Sequence, residues 1–527
     1  MTAALMTLTI GKSPASAGEG LIVRPPADIR LASGERAVVD FACDPGDYVS
    51  GSIDAGDTRG VRLDLVDHTG RIVRVLATTS AGPVSFQFVA DQPSLRLEAV
   101  AGETTATVHL RAIERVPLAA QVAPPPPPPI SPTMARIAAS LRQGGTTDTF
   151  WREIEATGTP LIEPGPDGQA ILTFLYRGAS RNVRIFGAPS GDHDEMEHLP
   201  GSDIWFRSYS VPKTTRLSYQ LAPDVPELPG SQRERRLAIL ATTQADPLNR
   251  FPWPATGADR FHTDSTIALG DAPPQPWLDA GAAAKGSLDS FPVTSSPLGN
   301  TRDVTLYLPP GFDPDNRDTL LLFVFDGPEY MTKVPTPRML DAMIAAKALP
   351  PVVAVFIANP DRQARGRELP GNPVFADFLA KDLLPLILAR TGMTGDPART
   401  LLAGSSYGGL AAVTAAFRHP EAFGNAISLS GSFWWHPDDA DPSSPNYVAA
   451  QFAHAPRRPL RFFLSAGLFE RTSPSHQDGI LETTRHLRDT LIARGYDVSY
   501  RDYAGGHDYF VWRGALADGL LALFGRH

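Results

Sequence analysis

The sequence predicts a multidomain protein in which two β-sandwich domains precede an α/β domain with a doubly covered, mainly parallel sheet. Three observations support this fold class. The chain of 527 residues exceeds the ~150 residues of a typical domain. Short alternating strands dominate its first half. From Gly286 onward, apolar strands alternate with amphipathic helices, which is typical of a sheet covered by helices on both faces.

The composition limits the classes of function. With 42% hydrophobic and 20% charged residues, the chain has ordinary globular usage and can form a sizeable core. A net charge of -9 argues against nucleic-acid partners and anionic membranes. No apolar run reaches the ~18 residues of a membrane span. The single cysteine, Cys43, excludes an intrachain disulfide and a cysteine-rich metal motif.

The first sandwich is predicted over residues 21–118, after an N-terminal tail of residues 1–20. Short strands such as Val61–Val66 and Val73–Val75 are separated by turn residues, and no reactive cluster accompanies them. We therefore expect an accessory binding or spacer module. A linker over residues 119–133 follows, because the proline run Pro124–Pro129 favours an extended polyproline II spacer.

The second sandwich is predicted over residues 134–285 and is of immunoglobulin-like type. It begins with helix-like stretches and continues with alternating strands, of which Ala170–Tyr176, Val183–Phe186 and Arg216–Leu221 are the clearest. A turn-rich segment and a stretch rich in proline, glycine and alanine end it near Lys285.

The α/β domain is predicted over residues 286–527. The expected strands include Leu320–Phe325, Val352–Ile357, Thr400–Ala403 and Leu460–Leu464. The expected helices are Phe375–Leu388, Gly409–Arg418 and Glu482–Arg494.

Gly404 to Gly409 read GSSYGG and match G-x-S-x-G, with Ser406 at the centre. A strand precedes the motif and a helix follows it, which is the context of the nucleophile elbow in an α/β-hydrolase. The glycines allow a turn too tight for side chains on either side of the serine. The sequence therefore predicts that Ser406 is a catalytic nucleophile, against the alternative of a structural Gly/Ser turn.

A serine hydroxyl needs an imidazole to take its proton. In this fold the histidine follows the last strand, and His507 follows the predicted strand Val498–Tyr503 on a glycine-rich loop. The acid should follow the penultimate strand, so Glu470 is the first choice and Asp478 the reserve. A helix-capping role for Glu470 stays open. His419 and His486 lie in or at the end of helices and compete poorly.

Two backbone amides are predicted to form the oxyanion hole. One belongs to Tyr407, the residue after the nucleophile. The other comes from the loop after the strand Leu320–Phe325, where Pro328 has no N–H and the donor is Gly327 or Glu329. Asp326 braces this loop or caps the next helix.

From about Pro132 to the C-terminus the chain resembles the enterochelin (ferric enterobactin) esterase family, within the esterase-D-like hydrolases. In the α/β domain the resemblance rests on Asp326–Gly327, Arg367–Leu369 with Phe375–Pro385, Gly404–Gly409, Ser430–Trp435, and Gly505–Asp508 with Trp512–Arg513. In the second sandwich it rests on Phe150–Trp151, Trp205–Arg207, Arg216–Tyr219 and Asp246–Arg250. The first sandwich departs from the simplest family members.

The resemblance implies hydrolysis of the serine-ester bonds of a catecholate siderophore, a small-molecule substrate that carries its own iron. We therefore expect no cofactor, no protein metal site, and a cytoplasmic protein, or a periplasmic one if the N-terminal stretch is an export signal. A ferric tris-catecholate is a bulky aromatic trianion that suits guanidinium groups and flat apolar faces. The expected substrate-binding residues are Arg365, Arg367, Trp434, Trp512 and Arg513.

Alternatives to this interpretation stay open. Arg367 beside Glu368 also fits a surface ion pair, and the tryptophans also fit core or lid packing. The competing enzyme is a carbohydrate acetyl or feruloyl esterase, which would use the same triad. A binding protein with a decayed hydrolase fold is disfavoured by the intact Ser406, His507 and elbow glycines.

Overall fold

The computed structural model describes residues 21–23, 27–39, 41–58, 60–79, 82–121, 129–189, 193–254, 259–279, 284–440, 446–472 and 479–526. The chain divides into two compact units, residues 1–127 and 128–527. The predicted tail of residues 1–20, most of the proline run and Asp478 lie outside the described residues. No helix in the described part of the chain is both long and apolar enough to cross a membrane.

The first unit contains two sheets of short strands. One sheet has the order β1-β3-β8-β5-β6 and the other the order β2-β9-β4-β7. Alternate residues of these strands, such as Ile29, Leu31, Phe86 and Phe88, point inward and form one core. The strands are β1 Leu21–Val23, β2 Ala27–Leu31, β3 Arg36–Val39, β4 Tyr48–Asp54, β5 Arg62–Val66, β6 Ile72–Thr78, β7 Val84–Val89, β8 Arg96–Val100 and β9 Ala106–Val116.

The second unit begins with another pair of four-stranded sheets, ordered β10-β11-β14-β13 and β12-β15-β17-β16. We call residues 129–279 the companion sandwich. Its strands are β10 Leu161–Pro164, β11 Ala170–Arg177, β12 Val183–Gly187, β13 Glu197–His198, β14 Ile204–Val211, β15 Arg216–Pro223, β16 Pro252–Trp253 and β17 Asp264–Ala268. Its helices are α1 Pro132–Arg142, α2 Asp148–Thr157, α3 Gln232–Leu240 and α4 Pro276–Asp279.

Three clusters of buried residues stabilise the described part of the companion sandwich. Leu172, Phe174, Ile185 and Leu217 pack in the core shared by the two sheets. A second cluster contains Trp151 of α2, which packs with residues of α1, β11 and β14. Helices α1 and α2 therefore pack against the first sheet, whereas Ala238 and Ile239 of α3 pack with Ala222 of β15 in the second.

The rest of the second unit is built on an eight-stranded sheet with the order β18-β19-β21-β20-β22-β23-β24-β25. Its strands are β18 Ser287–Ser295, β19 Asn300–Leu308, β20 Leu320–Phe325, β21 Val352–Ile357, β22 Thr400–Ser405, β23 Asn425–Leu429, β24 Arg461–Gly467 and β25 Asp497–Tyr503. The strands from β21 to β25 are parallel. The β18–β19 hairpin is antiparallel, and β19 also pairs antiparallel with β21.

Helices cover both faces of this sheet, in two separate apolar clusters. They are α5 Gly327–Thr332, α6 Thr336–Ala345, α7 Arg362–Glu368, α8 Pro373–Phe378, α9 Leu384–Thr391, α10 Tyr407–Arg418, α11 Tyr447–His454, α12 Ile480–Ala493 and α13 Tyr509–Phe524. A π-helical segment, Leu379–Leu383, joins α8 to α9. Because β20 and β21 are buried on both faces, their sequences are apolar throughout rather than alternating.

Candidate active site

The predicted catalytic residues follow three of the four parallel strands at one end of the large sheet. Ser406 follows β22, Glu470 follows the end of β24 and His507 follows β25. Strands β22 to β25 are adjacent and parallel, so their carboxyl ends meet at one edge. Ligand sites of open α/β sheets lie at this edge.

Ser406 occupies a sharp turn between β22 and α10, with φ 57° and ψ -124°. This conformation is strained for any residue with a side chain. A Cβ atom at Gly404 would lie 2.7 Å from the carbonyl carbon of Gly408, and one at Gly409 would lie 2.6 Å from Ser428 Oγ. Glycine is therefore needed at these positions, and the turn leaves Ser406 partly exposed.

Glu470 pairs directly with His507. The Glu470 Oε1 atom lies 2.6 Å from His507 Nδ1. The carboxylate side chain is only 4% exposed, whereas the imidazole is 40% exposed. A proton on Nδ1 is held by this contact, which leaves Nε2 as the nitrogen that can accept a proton. The arrangement is that of the acid and base in a serine hydrolase.

The second oxygen of Glu470 is held by a network behind the imidazole. Ser430 Oγ donates to Glu470 Oε2 at 2.7 Å, and the Gly467 amide donates to the same oxygen at 2.5 Å. Trp512 Nε1 donates to Ser430 Oγ at 3.0 Å. The Trp512 ring meets the His507 ring edge-on, with centroids 4.8 Å apart. These contacts fix both the carboxylate and the imidazole.

The Ser406 hydroxyl points toward another serine. Ser406 Oγ lies 3.4 Å from Ser432 Oγ, and the Ser432 amide donates to the Ser406 carbonyl at 3.2 Å. Within the described residues, the Ser406 hydroxyl has a hydrogen bond with Ser432 and none with His507. For the predicted proton transfer to His507, the hydroxyl would have to turn away from Ser432. Catalytic hydrogen bonds often tighten only when substrate is bound.

We expect Ser430→Ala to lower kcat by about tenfold, because a hydrogen bond to a charged group is worth ~1.5 kcal/mol or more. KM for a small ester should stay unchanged. Steady-state kinetics with p-nitrophenyl acetate would measure this. Ser428→Ala is the matched control, since Ser428 Oγ is buried on β23 and has no hydrogen-bond partner within the described residues. Equal kinetics of the two variants would contradict the role of Ser430.

The predicted oxyanion-hole amides both begin helices. Tyr407 is the first residue of α10 and Gly327 the first residue of α5, so neither amide has a partner within its own helix. A Cβ atom at Gly327 would lie 2.8 Å from the Ile357 nitrogen, which explains the glycine. Glu329 is the third residue of α5. The start of each helix carries partial positive charge, which suits the predicted role of the two amides.

Asp326 braces the Gly327 loop rather than capping α5. It has φ 54° and makes no side-chain cap. Arg365 Nε and Nη2 donate to its two oxygens at 2.7 and 2.8 Å, and Asn359 Nδ2 donates to Oδ1 at 2.6 Å. The Arg365 guanidinium also lies 5.8 Å from the centre of the Tyr407 ring. Arg365 therefore contacts both loops of the oxyanion hole.

The other predicted substrate-binding residues have different surroundings. Trp434 is 39% exposed and its ring lies 6.0 Å from that of Tyr407. The Arg367 side chain is 63% exposed, 3.8 Å from Glu368. Trp512 is buried behind the imidazole. Arg513 donates to Gln275 Oε1 at 2.8 Å and its guanidinium lies 3.9 Å from the centre of the Phe510 ring. Trp434 and Arg367 are thus the ones most open to a substrate.

The sequence analysis assigned no role to Ser430 and Ser432, which follow β23 within the segment Ser430–Trp435 that carries the family resemblance, or to Asn359, which follows β21. Their signal was their place after buried strands, but β23 was not among the predicted strands. Within the described residues, no group of three or more His, Cys, Asp or Glu side chains could hold a metal ion. The expectation that the substrate carries the iron stays a prediction.

Comparisons with known proteins place the second unit among esterases. Residues 295–523 match the family described as putative esterase, and residues 171–278 match the family described as enterochelin esterase, N-terminal. The iron(III) enterobactin esterase of Dickeya dadantii is 31% identical over 71% of this chain and 92% of the relative. The iron(III) salmochelin esterase of Escherichia coli O6:H1 is 31% identical over 71% of this chain and 93% of the relative.

Solved structures agree with these relatives. The enterobactin esterase of Shigella flexneri, crystallised in the presence of enterobactin, is 27% identical and superposes with a TM-score of 0.56 over 71% of this chain and 97% of that one. The ferric enterobactin esterase of Salmonella typhimurium is 28% identical, with a TM-score of 0.59 over 71% and 98%. The match spans nearly the whole of each solved chain.

Proposed function

This chain belongs to the enterobactin esterase family, and on that premise we propose that it is a serine esterase that hydrolyses the ester bonds of a catecholate siderophore and so releases its iron. The observation that carries the proposal is the strained turn at Ser406 after β22 together with the His507–Glu470 pair after β25 and β24, all at the carboxyl edge of one parallel sheet. The companion sandwich, which matches the N-terminal family of enterochelin esterases, favours a siderophore over a general ester.

In the first half of the reaction, Ser406 Oγ attacks the ester carbonyl while His507 Nε2 takes its proton. Glu470 stabilises the imidazolium through Nδ1. The carbonyl oxygen becomes an oxyanion that the amides of Tyr407 and Gly327 stabilise. His507 then gives the proton to the leaving serine hydroxyl of the siderophore. An acyl-enzyme and a free alcohol result.

In the second half, a water molecule replaces the alcohol. His507 takes a proton from the water as it attacks the acyl carbonyl, and the same two amides stabilise the second oxyanion. Collapse of this intermediate returns the proton to Ser406 and releases the carboxylic acid. Each cycle consumes one water and opens one ester. Opening the esters weakens the cage of catecholates around the iron and so favours its release.

The charge of the substrate supports roles for exposed Arg367 and Trp434. The relatives are described as esterases of iron(III) enterobactin and iron(III) salmochelin. Guanidinium groups and flat aromatic faces recognise such anionic aromatic ligands. Arg365 differs from Arg367, because its nitrogens are already bonded to Asp326. We therefore assign Arg365 to the oxyanion loops and Arg367 to substrate recognition.

Matched variants test this division. Arg365→Gln should lower kcat for p-nitrophenyl acetate by roughly 10- to 100-fold, since it loosens the loop that carries the Gly327 amide. Arg367→Gln should leave that activity unchanged and raise KM for the ferric siderophore severalfold. Steady-state kinetics of both variants on both substrates would decide. If Arg365→Gln changed only the KM for the siderophore, Arg365 would be a substrate-binding residue and not a brace of the oxyanion loops.

The function itself is tested with purified full-length protein. Ferric and iron-free enterobactin are incubated with the wild type in parallel with p-nitrophenyl acetate and a feruloylated sugar, and products are separated by chromatography. Dihydroxybenzoyl-serine fragments from the siderophore support the proposal. Cleavage of the feruloylated sugar with an intact siderophore would overturn it in favour of a carbohydrate esterase. Ser406→Ala is the control for background hydrolysis.

A further inference from the structure

The loop that carries His507, residues 504–508, lies against the companion sandwich. The Arg216 amide of β15 donates to the Ala504 carbonyl at 2.9 Å. Two residues later, the Ser218 amide donates to Asp508 Oδ2 at 3.2 Å. Gly505 and Gly506 between them are buried. The loop of the predicted base is thus hydrogen-bonded at both of its ends to the companion sandwich.

These two amides are available because a neighbouring strand stops short. Strand β12 pairs with β15 only as far as Gly187 opposite Tyr219. Amides two residues apart on a strand point the same way, so those of Arg216 and Ser218 face the side that β12 has left. The loop takes its place there. A buried amide without a partner costs free energy, so the contact is favoured.

The packing is as close as the hydrogen bonding. A Cβ atom at Gly505 would lie 2.7 Å from the Arg216 carbonyl oxygen, and one at Gly506 would lie 2.5 Å from Ala188 Cβ. Because glycine has no Cβ atom, the loop can approach the sandwich more closely than any other residue at these two positions would allow. The loop therefore has little freedom to move away from its position on the sandwich.

The Glu470 loop joins the same arrangement. The Phe469 amide donates to the Gly505 carbonyl at 3.1 Å, and the Phe469 side chain packs against the core of the companion sandwich. On the other side, Asp508 Oδ1 accepts from the Val511 amide at 3.1 Å and so caps α13. That helix carries Trp512, which meets the imidazole. Asp508 thus links β15, the His507 loop and α13.

We propose that the companion sandwich holds His507 in its catalytic position, with Asp508 as the positioning residue that joins the two domains. The inference rests on the proposed role of His507 as the general base. It gives the companion sandwich a role in catalysis besides the substrate preference that its family match favours. The sandwich contributes to turnover even of esters too small to touch it.

A double-mutant cycle across the domain boundary tests this proposal. Gly506→Ala introduces a Cβ atom that meets Ala188 Cβ, and Gly506 does not have a positive φ, so the alanine backbone itself is tolerated. The next atom of Ala188 is its Cα at 3.6 Å, an ordinary contact. Ala188→Gly should therefore remove the clash. The double variant Gly506→Ala/Ala188→Gly should therefore restore the close packing between the loop and the sandwich.

The cycle is measured on the full chain with p-nitrophenyl acetate. Gly506→Ala should lower kcat by at least tenfold with KM within about twofold, Ala188→Gly alone should change kcat less than threefold, and the double variant should recover most of the lost kcat. Asp508→Asn should lower kcat in the same way, because an amide nitrogen would face a backbone N–H. An unchanged kcat in Gly506→Ala, or no recovery in the double variant, would overturn the proposal.

Hydrogen–deuterium exchange of the peptide spanning residues 504–512 gives a readout that does not depend on turnover. Exchange should rise in Gly506→Ala and return to the wild-type level in the double variant. If the wild type cleaves p-nitrophenyl acetate but no siderophore, the substrate assignment fails while the cycle still decides the role of the sandwich. Unchanged exchange in Gly506→Ala would overturn that role whatever the substrate.

Discussion

Ser406→Ala should lower kcat/KM for both p-nitrophenyl acetate and the siderophore by roughly 10⁴- to 10⁶-fold, since loss of a triad nucleophile leaves only binding and the oxyanion hole. The stability should hardly change, because alanine keeps the Cβ atom of serine in the same turn. Stopped and steady-state assays of product formation measure the loss. Thermal unfolding of both proteins checks that the variant is folded.

Covalent labelling identifies the nucleophile independently of any substrate. A fluorophosphonate should add one label to the wild type, on the peptide that contains Ser406, and none to Ser406→Ala. Activity that survives at more than about one hundredth of the wild-type level would contradict the elbow serine as the nucleophile. Ser432, whose hydroxyl lies 3.4 Å away, would then be the next residue to test.

His507→Ala should lower kcat by a similar factor, roughly 10⁴- to 10⁶-fold, because the Ser406 hydroxyl is a weak nucleophile without a base. The double variant Ser406→Ala/His507→Ala should be little worse than either single variant, since the two side chains act as a unit. Steady-state kinetics at high enzyme concentration measure all three. Losses that multiply in the double variant would mean that the residues act independently.

Glu470→Gln provides a graded comparison. The amide keeps the shape of the side chain but no longer stabilises an imidazolium at Nδ1, so a smaller loss of kcat than in His507→Ala is expected. The structure supports this order, because Glu470 bonds with His507 Nδ1 and not with the nitrogen Nε2 that is predicted to take the proton. If Glu470→Gln were as inactive as His507→Ala, Glu470 would do more than orient the imidazole and stabilise its charge.

Much of the site could be predicted from chain order. In an α/β sheet the residues that follow successive parallel strands meet at one edge, so Ser406, Glu470 and His507 could be assigned from three strand ends. The elbow glycines added a steric requirement that the sequence satisfies. The family resemblance is confirmed by relatives at 31% identity.

The partners of side chains could not be predicted in the same way. A run of residues does not reveal that Arg365 bonds with Asp326 rather than a substrate, because the two lie 39 positions apart in the chain. Trp512 was expected at the substrate, yet its indole bonds with Ser430 from a different strand end. Such contacts depend on tertiary packing, which local pattern does not encode.

The antiparallel hairpin β18–β19 shows a limit of a different kind. Strand β18 is mostly exposed at the sheet edge, so it lacks the apolar run that identified the central strands. An edge strand is selected for solubility as much as for pairing. Sequence patterns therefore missed this edge hairpin, although they identified the opposite edge strand β25 from the segment Val498–Tyr503.

The positive φ of Ser406 favours a different residue for stability than for the proposed activity. A serine in that conformation costs about 1–3 kcal/mol that glycine would not, so Ser406→Gly should melt at a higher temperature while losing as much turnover as Ser406→Ala. Glycine would therefore suit the turn better, whereas the proposed chemistry requires the serine hydroxyl. The predicted nucleophile thus lowers the stability of the fold that presents it.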